Sequence, residues 1–157
     1  MQRVIVDAGP LIGWFDANDP YHPLVRDYLQ RFDGELLSTW PVLGEVCHLL
    51  PERLVGKFLS WVGQGGLTVV EVPVSALAGL ADRIDKYGDL PMDLADATLV
   101  WLAESLGVLD VLTIDRRDFG IYRTLRGQAL RNVLLDPPAT SPAAAAPAPA
   151  RSRPRKR

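Results

Sequence analysis

The most constraining feature of the sequence is a short apolar run near its start that ends on a carboxylate. Residues 4–6 are β-branched and apolar, as expected of a buried strand, and Asp7 follows them directly. Gly9 and Pro10 then break the strand. In open α/β sheets the ligand crevice lies outside the carboxyl ends of the strands. The pattern therefore predicts that Asp7 stands at an edge of the sheet where such folds place their chemistry.

The rest of the chain alternates short apolar runs with segments of helical periodicity. Strands are predicted over residues 4–6, 35–39, 67–72, 110–114 and 130–135. Helices are predicted over residues 11–16, 22–32, 41–50, 51–62, 74–87 and 92–106. Strands that alternate with helices favour a parallel sheet covered on both faces. The predicted fold class is therefore α/β, with a central and mainly parallel sheet of four to five strands.

Two parts of the chain differ sharply in composition. Residues 1–136 are predicted to form one domain with a sizeable core, whereas residues 137–157 are rich in Pro, Ala and Arg and are predicted to be a disordered basic tail. The tail holds five basic residues and no acid, so the body carries 12 basic against 19 acidic residues, a net charge of −7. Such a body is a poor electrostatic match for nucleic acid unless metal ions neutralise it.

Several classes of protein are disfavoured by what the sequence lacks. Cys47 is the only cysteine, which excludes an intrachain disulfide and a cysteine-based zinc site. No apolar stretch reaches the roughly 18 residues that a membrane-spanning helix needs. The first residues also lack the charged and apolar regions of a signal peptide. We therefore expect a cytoplasmic protein that does not enter a membrane.

Three further carboxylates occur in settings that favour a shared pocket with Asp7. Asp115 also ends an apolar run, and neighbouring parallel strands would bring it beside Asp7. Glu45 and Asp96 lie on the apolar faces of their predicted helices. Burying several carboxylates together is costly unless a cation pairs with them. Because Mg²⁺ and Mn²⁺ favour carboxylate and water oxygens, the sequence predicts that these four acids bind a divalent metal.

Each of these acids also has a structural interpretation. An aspartate at a strand end is often a turn or cap residue, Glu45 would reach water from a helix surface, and Asp96 would pair with an arginine. Asp93 shares a helix face with Asp96, but it also lies in the first turn after Pro91, where capping is the stronger interpretation. We therefore treat Asp93 as a candidate auxiliary ligand only.

Four segments of the chain resemble, in order, the motifs of PIN-domain ribonucleases, and most closely those of VapC-type toxins from bacterial toxin–antitoxin pairs. The segments are DAGPLI at residues 7–12, LGEV at 43–46, MDLADA at 92–97 and LTIDRRDF at 112–119. The resemblance spans about residues 3–135. It implies a PIN-like three-layer α/β/α fold and a metal-dependent endoribonuclease, with Mg²⁺ or Mn²⁺ as cofactor.

The resemblance also implies which residues and partners take part. The acidic set carried over from the family is Asp7, Glu45, Asp96 and Asp115. The implied partners are an RNA substrate, a second copy of the chain in a homodimer, and a VapB-type antitoxin that blocks the site. The basic tail is not part of the family pattern.

Three residues near Asp115 are candidates for supporting roles. Thr113 lies two positions before Asp115, so strand alternation would let its hydroxyl orient that acid or a water on the metal. The alternative is an ordinary β-branched strand residue. Arg116 and Arg117 are candidates for contact with the RNA backbone, because phosphate contacts position a substrate without reading its sequence. The alternative for both is an ion pair with Asp118 or another acid.

Other functions remain open at this point. A catalytically silent PIN-like module would bind RNA or protein without cleaving it, and metal-dependent turnover would distinguish an enzyme from such a module. A housekeeping RNA-processing nuclease would share the chemistry of a toxin and differ in its genomic neighbour. A phosphatase of the haloacid-dehalogenase type is disfavoured, because that class has an Asp-x-Asp motif, whereas Asp7 is followed here by Ala8 and Gly9.

Overall fold

The apolar run at the start of the chain forms the central strand of the sheet. A computed structural model describes residues 1–137, so the predicted tail lies, apart from its first residue, outside the described residues. The strands are β1 (Gln2–Val6), β2 (Gly34–Thr39), β3 (Thr68–Val70), β4 (Asp110–Leu112) and β5 (Arg131–Asn132). All neighbouring pairs are parallel, and the spatial order is β3-β2-β1-β4-β5.

Helices connect these strands and flank the sheet, which confirms the predicted α/β class. They are α1 (Ala8–Phe15), α2 (His22–Arg31), α3 (Trp40–Leu49), α4 (Glu52–Trp61), α5 (Leu77–Lys86), α6 (Leu94–Leu106) and α7 (Arg116–Ile121). Two helices follow each of β1 and β2, α5 and α6 lead from β3 to β4, and α7 leads from β4 to β5. No helix of residues 1–137 has the length and apolar content needed to cross a membrane.

The order of the strands places a reversal of chain direction between β1 and β4. The chain moves from β1 through β2 to β3 on one side and then returns to β4 on the other side of β1. Adjacent connections leave in opposite directions at this point, which opens a crevice above the carboxyl ends of the two strands. Asp7 follows β1 directly, so it lies at this crevice.

Helix α6 contains seven buried residues, more than any other helix of residues 1–137. Its apolar side chains pack on β1 and β2 and against α3 and α5. It ends at Gly107, whose backbone has a φ of 64°. This left-handed conformation favours glycine because a Cβ is strained there. The burial of α6 fixes its amino-terminal turn, which carries Asp96, against the carboxyl edge of the sheet.

The predicted boundaries differ from the structure mainly at this functional edge. β4 ends at Leu112 rather than at residue 114, and β5 contains only two residues. The first helix begins at Ala8 rather than at residue 11, and α7 was not predicted at all. The physical reason is the same at both places: Asp7 and Asp115 accept hydrogen bonds from backbone N–H groups and start a helix immediately.

Candidate active site

Asp7 is a buried carboxylate that is held from two sides. It caps α1, because its Oδ1 accepts a hydrogen bond of 2.8 Å from the Ala8 N–H. Its Oδ2 accepts a second bond of 2.8 Å from the Thr113 hydroxyl on the neighbouring chain segment. Only 8% of Asp7 is exposed. The side chain is therefore fixed before any ligand arrives.

Asp115 does not lie level with Asp7, contrary to the sequence prediction. Val6 is the partner of Leu112, so Asp7 stands opposite Thr113, and Asp115 lies three residues beyond the end of β4. Asp115 instead caps α7, where its Oδ1 accepts a bond of 2.9 Å from the Asp118 N–H. The Thr113 hydroxyl accepts a bond of 3.0 Å from the Asp115 N–H. Thr113 therefore orients the carboxylate of Asp7 and only the backbone of Asp115.

Two helices bring the remaining predicted acids to the same place. Glu45 lies half-buried on α3, and Asp96 lies half-buried in the first turn of α6. The Oδ2 atom of Asp96 accepts a hydrogen bond of 3.0 Å from the Tyr122 hydroxyl. Asp93 is exposed and caps α6, because its Oδ1 accepts a bond of 2.8 Å from the Asp96 N–H. The capping interpretation of Asp93 is thus confirmed, although Asp93 also reaches the shared cleft.

These acids converge on one cleft of about 390 Å³. The cleft is lined by seven acidic side chains and by no Lys, Arg or His: Asp7, Asp19, Glu45, Asp93, Asp96, Asp115 and Asp118. The four acids of the predicted set are therefore brought together. Asp19 and Asp118 were not predicted. The position of Asp118 could have been predicted from the sequence, because it lies about one helical turn after Asp115. Asp19 lies in a turn, and nothing in the sequence around it predicts a place in the cleft.

The electrostatics of the cleft oppose ionisation of its acids. The pKa of Asp7 is raised from 3.8 to about 6, mainly by burial and also by the charges of Asp115 and Asp93, against the lowering effect of its hydrogen bonds. Burial also raises the pKa of Asp96 from 3.8 to about 7, again with contributions from neighbouring acids. The pKa of Glu45 is raised by burial first and by Asp7 and Asp93 next. A bound cation would relieve this repulsion.

The donor set of the cleft fits a hard divalent cation by its chemistry. Within residues 1–137, no three His, Cys, Asp or Glu side chains already converge in a metal-ligating arrangement. Three of the cleft acids instead turn one carboxylate oxygen to a helix N–H, namely Asp7, Asp93 and Asp115. Each carboxylate retains further lone pairs. All ionisable donors at the cleft are carboxylates, the ligands that Mg²⁺ and Mn²⁺ prefer.

The two candidate arginines lie outside the lining of the cleft. Arg116 forms an ion pair of 3.3 Å with Asp136 and donates a bond of 3.0 Å to the Leu135 carbonyl. Its pairing partner is therefore a neighbouring acid other than Asp118. Arg117 is exposed on the first turn of α7. A contact between Arg117 and RNA stays a prediction.

Comparison with known proteins gives a relative in sequence and a match in fold. No protein-family model matches the chain. Ribonuclease VapC26 of Mycobacterium tuberculosis is 28% identical over 129 residues, which cover 79% of this chain and 95% of that protein. The crystal structure of M. tuberculosis VapC20, a toxin that cleaves the sarcin–ricin loop, superposes with a TM-score of 0.67 at 16% identity. The superposition covers 71% of this chain and 89% of VapC20, and it shows a common fold.

Proposed function

We propose that the chain, a homologue of ribonuclease VapC26 that shares the fold of VapC20, is a divalent-metal-dependent endoribonuclease that acts as the toxin of a type II toxin–antitoxin pair. The observation that carries the proposal is the cleft at the reversal point of the sheet. Seven acids line it, and the pKa values of four of them, Asp7, Glu45, Asp96 and Asp118, are raised by burial and by neighbouring acids. Buried and mutually repelling acids in a cleft are typical of a site that a cation completes.

The side chains of the cleft have distinct proposed roles. Asp7, Glu45, Asp96 and Asp115 would hold Mg²⁺ or Mn²⁺, with Asp93 as an auxiliary ligand. When bound, such an ion supplies an activated water and offsets negative charge on the scissile phosphate. The hydroxyl of Thr113 holds the carboxylate of Asp7 from the neighbouring chain segment. Asp7 therefore does not need to change its orientation when substrate binds.

The charge of the cleft also explains how substrate access would depend on the ion. Seven carboxylates without a basic partner repel a phosphodiester backbone. A cation bound by these carboxylates would neutralise part of their charge and so reduce the repulsion of a phosphate that binds in the cleft. Arg117 is exposed on α7, next in sequence to Asp118 of the cleft, and would contact an adjacent phosphate.

The biological setting follows the family. We propose that the chain acts in the cytoplasm, forms a homodimer and is neutralised by a VapB-type antitoxin. The fold match to a toxin that cleaves the sarcin–ricin loop makes ribosomal RNA the first substrate to test.

The activity is tested with end-labelled structured RNA and antitoxin-free protein, in Mg²⁺, in Mn²⁺ and in EDTA. We expect cleavage that needs the metal and that is lost in Asp7→Asn. Asp85→Asn serves as the matched control, because Asp85 is an exposed acid on α5 and does not line the cleft. Equal cleavage by the wild type and Asp7→Asn would reject the cleft as the active site.

The role as a toxin is tested separately from the chemistry. Induced expression of the wild type in a bacterial host should arrest growth, and co-expression of the product of the adjacent gene should restore it. Asp7→Asn, expressed at the same level, should not arrest growth. Metal-dependent cleavage without growth arrest would favour a housekeeping nuclease, and metal binding without cleavage would favour a silent module.

A further inference from the structure

Tyr122 is a fully buried tyrosine whose hydroxyl reaches an acid of the cleft. The residue directly follows α7, is 0% exposed and donates a hydrogen bond of 3.0 Å to Oδ2 of Asp96. The two residues lie 26 positions apart, on different elements. Among the hydrogen bonds of residues 1–137, Oδ2 is the only carboxylate oxygen of Asp96 that is engaged. The Oδ1 atom has no protein donor there, and Asp96 lines the cleft.

The position of the Tyr122 ring is set by aromatic packing. Its ring makes edge-to-face contacts with Tyr87 and with Phe119, each with centroids 5.2 Å apart. Such contacts restrict both the place and the tilt of a ring. The hydroxyl is therefore presented to Asp96 by a rigid group.

Helix α5 and the residue directly after it also hold the chain immediately after Tyr122. The Arg123 N–H donates a bond of 3.0 Å to the Tyr87 hydroxyl, and the Arg123 carbonyl accepts one of 3.4 Å from Arg83. Arg83 is in turn buried and paired with Glu104 on α6 at 2.6 Å. Since Glu104 lies on the same helix as Asp96, this network joins the segment that carries Tyr122 to the helix that carries the acid.

We propose that Tyr122 is a positioning residue that orients the Asp96 carboxylate toward the divalent cation. The inference rests on the proposed function. By engaging Oδ2 from the protein interior, Tyr122 leaves Oδ1 as the oxygen available to the cleft. A hydrogen-bonded outer partner of this kind keeps a ligand in the geometry that an ion requires, and its loss typically costs about 10–100-fold in metal affinity or activity.

The variant that tests the proposal is Tyr122→Phe in the full chain. It removes the hydroxyl and keeps the ring contacts with Tyr87 and Phe119, so the core packing is retained. Tyr28→Phe is the matched control, because Tyr28 is half-buried, stacks on Phe32 and lies away from the cleft. Mn²⁺ affinity is measured by calorimetry at pH 8, and the thermal midpoint is measured in EDTA.

The expected result is an Mn²⁺ affinity about 10-fold weaker for Tyr122→Phe and unchanged for Tyr28→Phe. The Mn²⁺ concentration that gives half-maximal RNA cleavage should rise by a similar factor. A Tyr122→Phe protein that has a lower thermal midpoint but the wild-type Mn²⁺ affinity would show a structural role only and would overturn the proposal. Wild-type protein that binds no Mn²⁺ would overturn the metal site itself, and this failure of the proposed function is distinct from the first outcome.

Discussion

Thr113 donates a hydrogen bond of 2.8 Å to Asp7 across the central pair of strands. The contact follows from register: Val6 pairs with Leu112, so the next residue of each strand stands opposite the other at the carboxyl edge. The same hydroxyl accepts the N–H of Asp115. The buried side chain of Thr113 therefore links Asp7, which follows β1, to the backbone of Asp115, which caps α7.

Replacing Thr113 with Val should weaken both the fold and the site. The isosteric change leaves a buried Asp7 oxygen and the Asp115 N–H without their partner, at a cost of about 1–3 kcal/mol in the free energy of unfolding. Metal affinity and RNA cleavage should fall by about 10–100-fold, because Asp7 loses the group that orients it. Urea unfolding and cleavage assays measure the two effects.

The control for this variant is the same change at Thr124. Thr124 is also buried, and its hydroxyl accepts the Gln128 N–H within a turn that does not line the cleft. Thr124→Val should lose stability and keep the cleavage rate per folded molecule. If Thr113→Val cleaved RNA as fast as Thr124→Val, its hydroxyl would have no part in the site.

Without metal, the protein should become less stable as the pH rises from about 4 to about 7. The pKa values of Asp7 and Asp96 are raised from 3.8 to about 6 and about 7 in the folded state, so the folded state binds more protons than the unfolded state in this range. Stability is fully present below the unfolded pKa and is lost as the pH passes through the folded values. For buried Asp7, the shift corresponds to about 3 kcal/mol.

This pH dependence is measured by urea unfolding in EDTA between pH 4.5 and pH 8, with Asp7→Asn as the comparison. The variant removes one of the two groups, so its stability should fall less steeply and should exceed that of the wild type at pH 8. An unfolding free energy that rose with pH in the wild type would contradict the assigned pKa directions.

Divalent metal should reverse the loss of stability at high pH. An ion that binds only the folded protein stabilises it by about 2.7 kcal/mol at 100 times its dissociation constant. The rise in thermal midpoint on adding Mg²⁺ should be large at pH 8 and small at pH 5, because protons compete for the carboxylates of Asp7 and Asp96. Asp96→Asn should lose most of the rise, and Asp85→Asn should keep it. An equal rise in both variants would place the ion elsewhere.

The fold and the acid set were predictable because both leave periodic or local patterns in the sequence. Apolar β-branched runs identified the strands, and the helical spacing around Glu45 and Asp96 placed these acids on inward faces. The strand order then brings the acids to one edge, as expected of a parallel sheet whose direction reverses beside β1.

The remaining features depend on contacts between distant residues. The register that sets Asp7 opposite Thr113 rather than beside Asp115 is a property of the paired strands, and no single segment encodes it. The bond from Tyr122 to Asp96 joins two elements that are adjacent only in space. An aspartate such as Asp115 is a common helix cap, so the start of α7 was predictable in principle. The apolar run before Asp115 instead favoured a longer strand, and α7 was not predicted.

Gly9 should be intolerant of a side chain because of its contact with the segment that carries Asp115. A Cβ at Gly9 would lie 2.5 Å from Cγ1 and 2.6 Å from Cδ1 of Ile114, well inside van der Waals contact. Ile114 is β-branched and half-buried, so it has few rotamers with which to yield. Gly9→Ala should therefore cost about 1–3 kcal/mol in the free energy of unfolding. It should also displace Asp115 and lower RNA cleavage beyond the loss of folded protein.

Gly56→Ala in the middle of α4 is the control, since an added Cβ meets no atom within 4 Å there and should be neutral or stabilising by up to about 1 kcal/mol. Urea unfolding and cleavage by both variants measure the difference, and a Gly9→Ala protein as stable and active as Gly56→Ala would show that Ile114 moves freely and does not fix Asp115.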